Sequence, residues 1–294
     1  MRSSSDSGVK QREPHCAKNE TGKCDPCRGT KTNRLFVIGT GPGDVNYMAG
    51  RAIDLLEQAD AVAGYTTYMD LIQPLIKDKK TIATGMTKEV DRVEQAIAEA
   101  LTGKTCALIS GGDAGIYAMA GLVFEMCQKK GIHLVRHGTP HHGDHRENIL
   151  EIEVVPGIPA LAAGASLVGA PLTHDFCAIS LSDLLTPWET IEQRITAAAS
   201  ADFVIAIYNP KSKKRDWQLN RARDLILEHR NENTPVGVVT AAMRDGQKVS
   251  VVPLKDLDQA EVGMQTVLFV GNKASVEYLD FMYTPRGYSG KYKL

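Results

Sequence analysis

One stretch restricts the possible folds of this chain more than any other: Leu35-Phe-Val-Ile-Gly-Thr-Gly-Pro-Gly-Asp44. Its apolar start, Leu35 to Ile38, reads as a buried strand. Three alternate glycines, Gly39, Gly41 and Gly43, end that strand, and Met48, Ala52, Leu55 and Leu56 then recur at helical spacing. A strand that turns through glycines into a helix is the unit of an open α/β sheet, whose ligands bind at the carboxyl edge of the strands. The dinucleotide fingerprint is not met. It needs a glycine at position 44, where Asp44 stands, and Pro42 removes a backbone N–H from any phosphate cradle.

A second turn of the same kind, Gly111-Gly-Asp-Ala-Gly-Ile-Tyr117, follows the apolar run Thr105 to Ser110. Further strands are expected at Ala61 to Gly64, Thr81 to Thr84 and Glu151 to Val155. Helices are expected up to Ala59, over Tyr68 to Leu75, through Val90 to Leu101, and over Tyr117 to Lys130. This alternation predicts a mainly parallel sheet covered on both faces. Pro156, Gly157 and Pro159 read as a hinge before a small-residue helix, Ala160 to Val168. Beyond it, strands are expected at Cys177 to Ser180, Phe203 to Tyr208, Val236 to Thr240, Val249 to Pro253 and Thr266 to Val270. Helices are expected at Trp188 to Ala199 and Arg215 to Glu228. Asp245-Gly246 reads as a hairpin turn, so this second sheet should be mixed. The expected organisation is a mobile tail (1–33), an N-terminal α/β domain (34–155) and a C-terminal α/β domain (156–294).

The chain has 294 residues and 43% hydrophobic content, enough for one large or two ordinary domains. Lys+Arg 34 against Asp+Glu 35 gives a net charge of -1, which argues against nucleic acid or an anionic membrane as the main partner. No apolar run approaches membrane-helix length. The polar N-terminus lacks a signal-peptide core, so a cytoplasmic protein is expected. Cys106, Cys127 and Cys177 lie in apolar segments and read as buried thiols.

Two glycine turns, each closed by an aspartate, point to a ligand site on one sheet edge. The competing reading is a pair of tight turns with Asp113 as a helix N-cap. A NAD site would want an acidic residue near position 64, where Gly64-Tyr65 stands, and no phosphate loop is present, since Gly103-Lys-Thr105 has Ala98 in place of that motif's first glycine. S-adenosylmethionine fits better: it has no phosphate, and its sulfonium and amino-acid groups suit backbone carbonyls, N–H groups and a carboxylate.

Gly39-Thr-Gly-Pro-Gly-Asp44, Ser110-Gly-Gly-Asp-Ala-Gly-Ile-Tyr117 and Val154-Val-Pro-Gly-Ile-Pro-Ala160 resemble the successive motifs of the tetrapyrrole methyltransferase family, over Arg34 to Leu294. Thr173-His-Asp-Phe176, Ser180 to Trp188, Ile207-Tyr-Asn-Pro210 and Thr284-Pro-Arg-Gly-Tyr288 resemble one branch, the precorrin-3B C17-methyltransferases and their cobalt-dependent counterparts of cobalamin biosynthesis. The resemblance implies a homodimer of two-domain α/β subunits, with S-adenosylmethionine in the cleft between domains and a polycarboxylate tetrapyrrole as substrate. It also implies that Pro42 lines the cleft and that Gly111, Gly112 and Asp113 hold the amino-acid end beside Ile116. Pro159 and Ala160 stand where relatives commonly carry Thr-Ala, and Asn209 and Ala242 would contact the nucleoside.

The branch further implies ring contraction, which moves protons and needs a general acid or base. His174 and Asp175 are the candidates, ahead of Asp183; a turn with an aspartate cap is the alternative. Lys211, Lys213, Lys214 and Arg215 are candidates to receive substrate carboxylates, against a solvated charge run. Cys16, Cys24 and Cys27, with His15, have spacing suited to zinc or an iron–sulfur cluster but fall short of four cysteines. The loop from His137 to His145, with His141 and His142, is a solvated insertion or a metal-binding tract. Competing functions are methylation of another ring carbon, a nicotinamide-dependent oxidoreductase, and a metal or tetrapyrrole carrier.

Overall fold

The computed structural model describes residues 33–139, 148–212 and 215–293. Six strands make the first sheet: β1 (Arg34–Gly39), β2 (Ala61–Tyr65), β3 (Lys80–Thr84), β4 (Thr105–Ser110), β5 (His133–Arg136) and β6 (Ile149–Val155). Their order is β3-β2-β4-β1-β6-β5, and every pairing is parallel. Side chains alternate along β1, so Leu35 and Val37 face one side and Phe36 and Ile38 the other. Helices α1 (Gly50–Gln58), α2 (Thr66–Leu71) and α3 (Gln73–Ile76) cover the Phe36 face. Helices α4 (Glu89–Ala100) and α5 (Ala120–Lys129) cover the other.

The second sheet follows α6 (Ala160–Val168) and the two-residue strand β7 (Gly169–Ala170). It contains β8 (Phe176–Ser180), β9 (Val204–Tyr208), β10 (Pro235–Thr240), β11 (Lys248–Pro253) and β12 (Thr266–Val270), in the order β11-β10-β12-β9-β8. Only β8 and β9 run parallel, so this sheet is mixed, as expected. Helices α7 (Trp188–Ser200) and α8 (Gln218–Leu227) pack on one face. Helix α6 packs on the other, and its small residues allow a close approach: a Cβ on Gly164 would fall 2.7 Å from Val267 Cγ1 and 2.9 Å from Phe269 Cε2.

Several details depart from expectation. The helix expected over Tyr68 to Leu75 is two helices, with Pro74 in the first turn of the second. Helix α5 starts at Ala120 rather than Tyr117, and α8 starts at Gln218 rather than Arg215. Strand β5 and a small sheet of β7, β13 (Val276–Tyr278) and β14 (Phe281–Tyr283) were not expected. Asp245-Gly246 is not a two-residue hairpin, because the whole of 241–247 separates β10 from β11. Cys106 and Cys127 are buried as expected, whereas Cys177 is half-buried; burial pushes the Cys106 thiol up to about 12 and that of Cys177 up to about 11. Among the described residues, no helix is long and apolar enough to cross a membrane.

Candidate active site

Strands β1 and β4 are neighbours, but their outgoing helices part company. The chain leaving β1 enters α1 on one face of the sheet, whereas the chain leaving β4 enters α5 on the other. Adjacent strands whose connections diverge open a crevice at their carboxyl ends. Both glycine turns lie there.

The two turns are zipped together. Thr40 N–H donates to Ser110 O at 2.9 Å, Gly41 N–H to Gly112 O at 3.0 Å, and Gly112 N–H to Gly41 O at 2.6 Å. Gly41 (φ +75°) and Gly112 (φ +71°) occupy the left-handed region, which explains glycine at both. Gly39 is there for a different reason: its added Cβ would lie 2.7 Å from both Gly112 O and Gly157 N. Glycine in these turns thus serves loop-to-loop packing as well as an open ligand face. The segment after β6 joins the same knot, with Gly157 N–H donating to Asp113 Oδ2 at 3.1 Å. The expected hinge at Pro156 to Pro159 is therefore a clamped crossover. Asp113 Oδ1 accepts from Gly115 N–H at 2.7 Å, so Asp113 closes an Asx turn and is not the N-cap of α5.

Pro42, Gly111, Gly112, Asp113, Ile116, Pro159, Ala160, Asn209 and Ala242 all line one cavity between the two sheets. The structure brings together every position that the motif resemblance marked for the methyl donor. Asn209 also ties the end of β9 to that of β8 through Nδ2 to Ser180 Oγ at 3.0 Å. Tyr208 Oη accepts from Leu161 N–H at 2.8 Å, in the first turn of α6.

The cavity has further walls that the sequence reading missed, among them Tyr68, Tyr117, Tyr208 and Arg244. Tyr117 Oη donates to Ala178 O at 3.0 Å, and the Tyr117 and Tyr208 rings lie 5.0 Å apart. Burial raises both phenol pKa values, which keeps the hydroxyls protonated. Tyr208 and Tyr117 were inside quoted motifs, so position in the motif was the available signal. Arg244 lies two residues past Ala242, and nothing local marks it.

Four non-glycine residues around this cavity hold positive φ: Tyr117 (52°), Asn209 (50°), Ala241 (50°) and Met243 (57°). Each costs about 1 kcal/mol or more, and such strain collects where loops are shaped for a ligand. The 241–247 loop is fastened across the cavity, with Asp44 N–H donating to Met243 O at 3.2 Å.

Other candidates lie elsewhere. His174 and Asp175 precede β8, whose opposite end, Ser180, adjoins the cavity residue Asn209. A five-residue strand, about 16 Å, separates them from the cavity edge, and His174 Nδ1 accepts from Asp175 N–H. The acid–base role expected of this pair finds no place in the cavity of one chain. Asp183 accepts from Gln218 Nε2 at 2.8 Å. Neither Lys211 nor Arg215 lines the cavity. His137 Nδ1 lies 2.8 Å from Glu151 Oε1. His15, Cys16, Cys24, Cys27, His141, His142, His145, Lys213 and Lys214 lie outside the described residues. Among the described residues, no group of three or more His, Cys, Asp or Glu side chains could hold a metal.

A two-sheet α/β chain with its cavity at strand carboxyl ends, walled by these motifs, has a known class. Residues 34–258 match the tetrapyrrole (corrin/porphyrin) methylases, and the chain belongs to that family. It is 46% identical over 255 residues to a Salmonella typhimurium protein named "Probable cobalt-factor III C(17)-methyltransferase", covering 87% of this chain and 99% of that one. It is 48% identical over 261 residues to the cobalt-factor III methyltransferase of Priestia megaterium, covering 89% of this chain and 46% of that one. The chain thus spans about half the length of the Priestia relative. The crystal structure of the methyltransferase CobJ superposes with a TM-score of 0.75 at 35% identity, covering 85% of this chain and 99% of that one.

Proposed function

We propose that this chain methylates C17 of a precorrin-3-type tetrapyrrole, with ring contraction, in cobalamin biosynthesis. S-adenosylmethionine is the donor, and cobalt-factor III is the form of the substrate we favour, because both relatives cited above carry that name. The observation that carries the reading is the convergence of nine motif positions on one cavity.

The cavity chemistry suits the donor. Backbone at Gly111 and Ala242, the Asp113 carboxylate and apolar Ile116 and Pro42 line the cavity, and no phosphate loop is present. When bound, the donor supplies an electrophilic methyl sulfonium. The protein's part is to hold donor and acceptor carbon in line and to keep water out, which supplies a large part of the rate. Asp113 positions the turn 111–115 through Gly115 and fixes it to Gly157. Tyr117 and Tyr208 offer protonated hydroxyls on the cavity wall. The division into domains at 34–155 and 156–294, a homodimer and a cytoplasmic location belong to the same reading.

Isothermal calorimetry with S-adenosylhomocysteine and NADH tests the donor. Wild type is expected to bind the nucleoside and not NADH, and Asp113→Ala to lose at least about tenfold in affinity, the effect of a broken charged hydrogen bond. NADH binding without nucleoside binding would sink the reading. Labelled donor with cobalt-factor III or precorrin-3B, followed by mass spectrometry, then reads the substrate; transfer to neither overturns the C17 assignment. Sedimentation velocity is expected to give twice the chain mass of 31.9 kDa, and a single-chain value would exclude the dimer.

A further inference from the structure

Among the described residues, Arg244 has no carboxylate partner. Its side chain is half-buried in the cavity wall and stacks over the Tyr68 ring, 5.6 Å from guanidinium carbon to ring centroid. Nε donates to Pro42 O. Among the described residues, the remaining guanidinium N–H groups have no protein acceptor and no carboxylate forms an ion pair with it. Of the other half-buried or buried arginines, Arg34, Arg223 and Arg230 have carboxylate partners and Arg92 donates to Thr84 and Gly85. Arg215 resembles Arg244 in having no ion pair among the described residues, with Nη1 buried and without a hydrogen bond, but it does not line the cavity.

The fold makes room for this side chain deliberately. It crosses directly over Gly43, where an added Cβ would lie 2.3 Å from Arg244 Cγ and 2.9 Å from Nε. Gly43 has no left-handed φ to explain it, so the third glycine of the first turn is a seat for Arg244. The seat is built from both halves of the chain, since Arg244 belongs to the 241–247 loop and Pro42 and Gly43 to the loop after β1.

We propose that Arg244 is the carboxylate receptor of this cavity, binding a carboxylate that a ligand carries into it. The inference rests on the methyltransferase reading above, whose ligands offer two sources: the amino-acid end of the donor and an acid side chain of the macrocycle. A planar fork of N–H donors matches a carboxylate in two-point fashion, which a lysine does not. Burial lowers the Arg244 pKa from its ordinary value, a penalty that an arriving anion offsets. The stack on Tyr68 and the bond to Pro42 fix the guanidinium before any ligand arrives, so little ordering remains to be done on binding. This cation takes the role expected of Lys211, Lys213, Lys214 and Arg215, of which Lys211 and Arg215 do not line the cavity.

The test compares wild type, Arg244→Met and Arg244→Lys against three probes: S-adenosylhomocysteine, 5′-methylthioadenosine (which lacks the amino-acid carboxylate) and cobalt-factor III. Arg244→Met is expected to weaken one carboxylate-bearing probe by about ten- to a hundredfold, the worth of a charged hydrogen-bonded contact. Arg244→Lys should recover part of that loss. A loss confined to S-adenosylhomocysteine, with 5′-methylthioadenosine unchanged, identifies the donor carboxylate. A loss confined to cobalt-factor III identifies the ring. Wild-type affinity for both carboxylate probes in Arg244→Met overturns the proposal. So does an equal loss for 5′-methylthioadenosine, which would mean that Arg244 only positions the Pro42 loop, and so does a Lys variant as weak as the Met variant. If wild type itself binds neither nucleoside nor macrocycle, the methyltransferase reading fails first, and this inference with it.

Discussion

Gly157→Ala is expected to abolish measurable binding of S-adenosylhomocysteine and to destabilise the fold by about 2–4 kcal/mol, the upper range for overpacking a buried site. The new Cβ would stand 2.2 Å from Gly112 O, 2.7 Å from Gly39 O and 2.8 Å from Gly39 C. All three are backbone atoms, so no side chain can swing aside. Relief requires the turn after β1, the turn after β4 and the crossover after β6 to separate. That movement also breaks the bond from Gly157 N–H to Asp113 and disturbs the Gly41–Gly112 bridge. One methyl group therefore disorders three walls of the cavity. Urea unfolding and calorimetry on the same preparation check both effects. A variant with wild-type stability and affinity would show that the crossover has slack.

Arg230→Met is expected to cost more stability, about 3–5 kcal/mol, and to leave ligand affinity unchanged in the folded fraction. The Arg230 side chain is 1% exposed and pairs with Asp202 at 3.2 Å. It donates to Ala199 O, to Phe203 O at 3.1 Å and to Gly271 O at 3.3 Å. It thus fastens the end of α7, the approach to β9 and the exit of β12. Methionine fills some of the space but satisfies none of those carbonyls and leaves Asp202 without its cation. The cavity lies at the other end of β9, beyond Tyr208, so affinity measured well below the melting temperature should hold. A parallel loss of affinity would show that the two ends of the second sheet are coupled.

The contrast between these two sites marks how far residues can be read without a fold. The alternation of apolar runs and helical faces located ten of the strands, most of them runs of buried side chains with turn residues at their ends; β3, β8 and β11 are more exposed. Strand β5 was missed because His133 to Arg136 is short and follows a helix end without apolar emphasis. Strands β7, β13 and β14 have two or three residues each, too few for a period of two to be visible. Gly39 and Gly157 were legible as turn residues, but their reason is a contact across the sheet edge that no local pattern encodes. The positions that the motif resemblance assigns to a donor meet in one cavity. His174 and Asp175 illustrate the opposite case: adjacency to a strand does not say which end of that strand faces the cavity. Arg244 became visible only once the loop after β10 was seen lying across Gly43.

The position of β1 in the first sheet has a consequence for how the chain is made. This strand sits at the centre, pairing Arg34 with Thr105 of β4 on one side and with Glu151 of β6 on the other. It precedes both partners in the chain, so one edge stays open until β4 is complete at residue 110 and the other until β6 is complete at residue 155. Pairing over such separations pays a loop-closure cost before any reward, which slows folding and prolongs the exposure of Leu35 to Ile38. The crossover that locks Gly157 against Gly39 can form only after β6 has docked. The turn after β1, although it precedes the other cavity walls in the chain, is therefore among the last of them to reach its final packing, and the β6 edge of its strand is the later of the two to be covered.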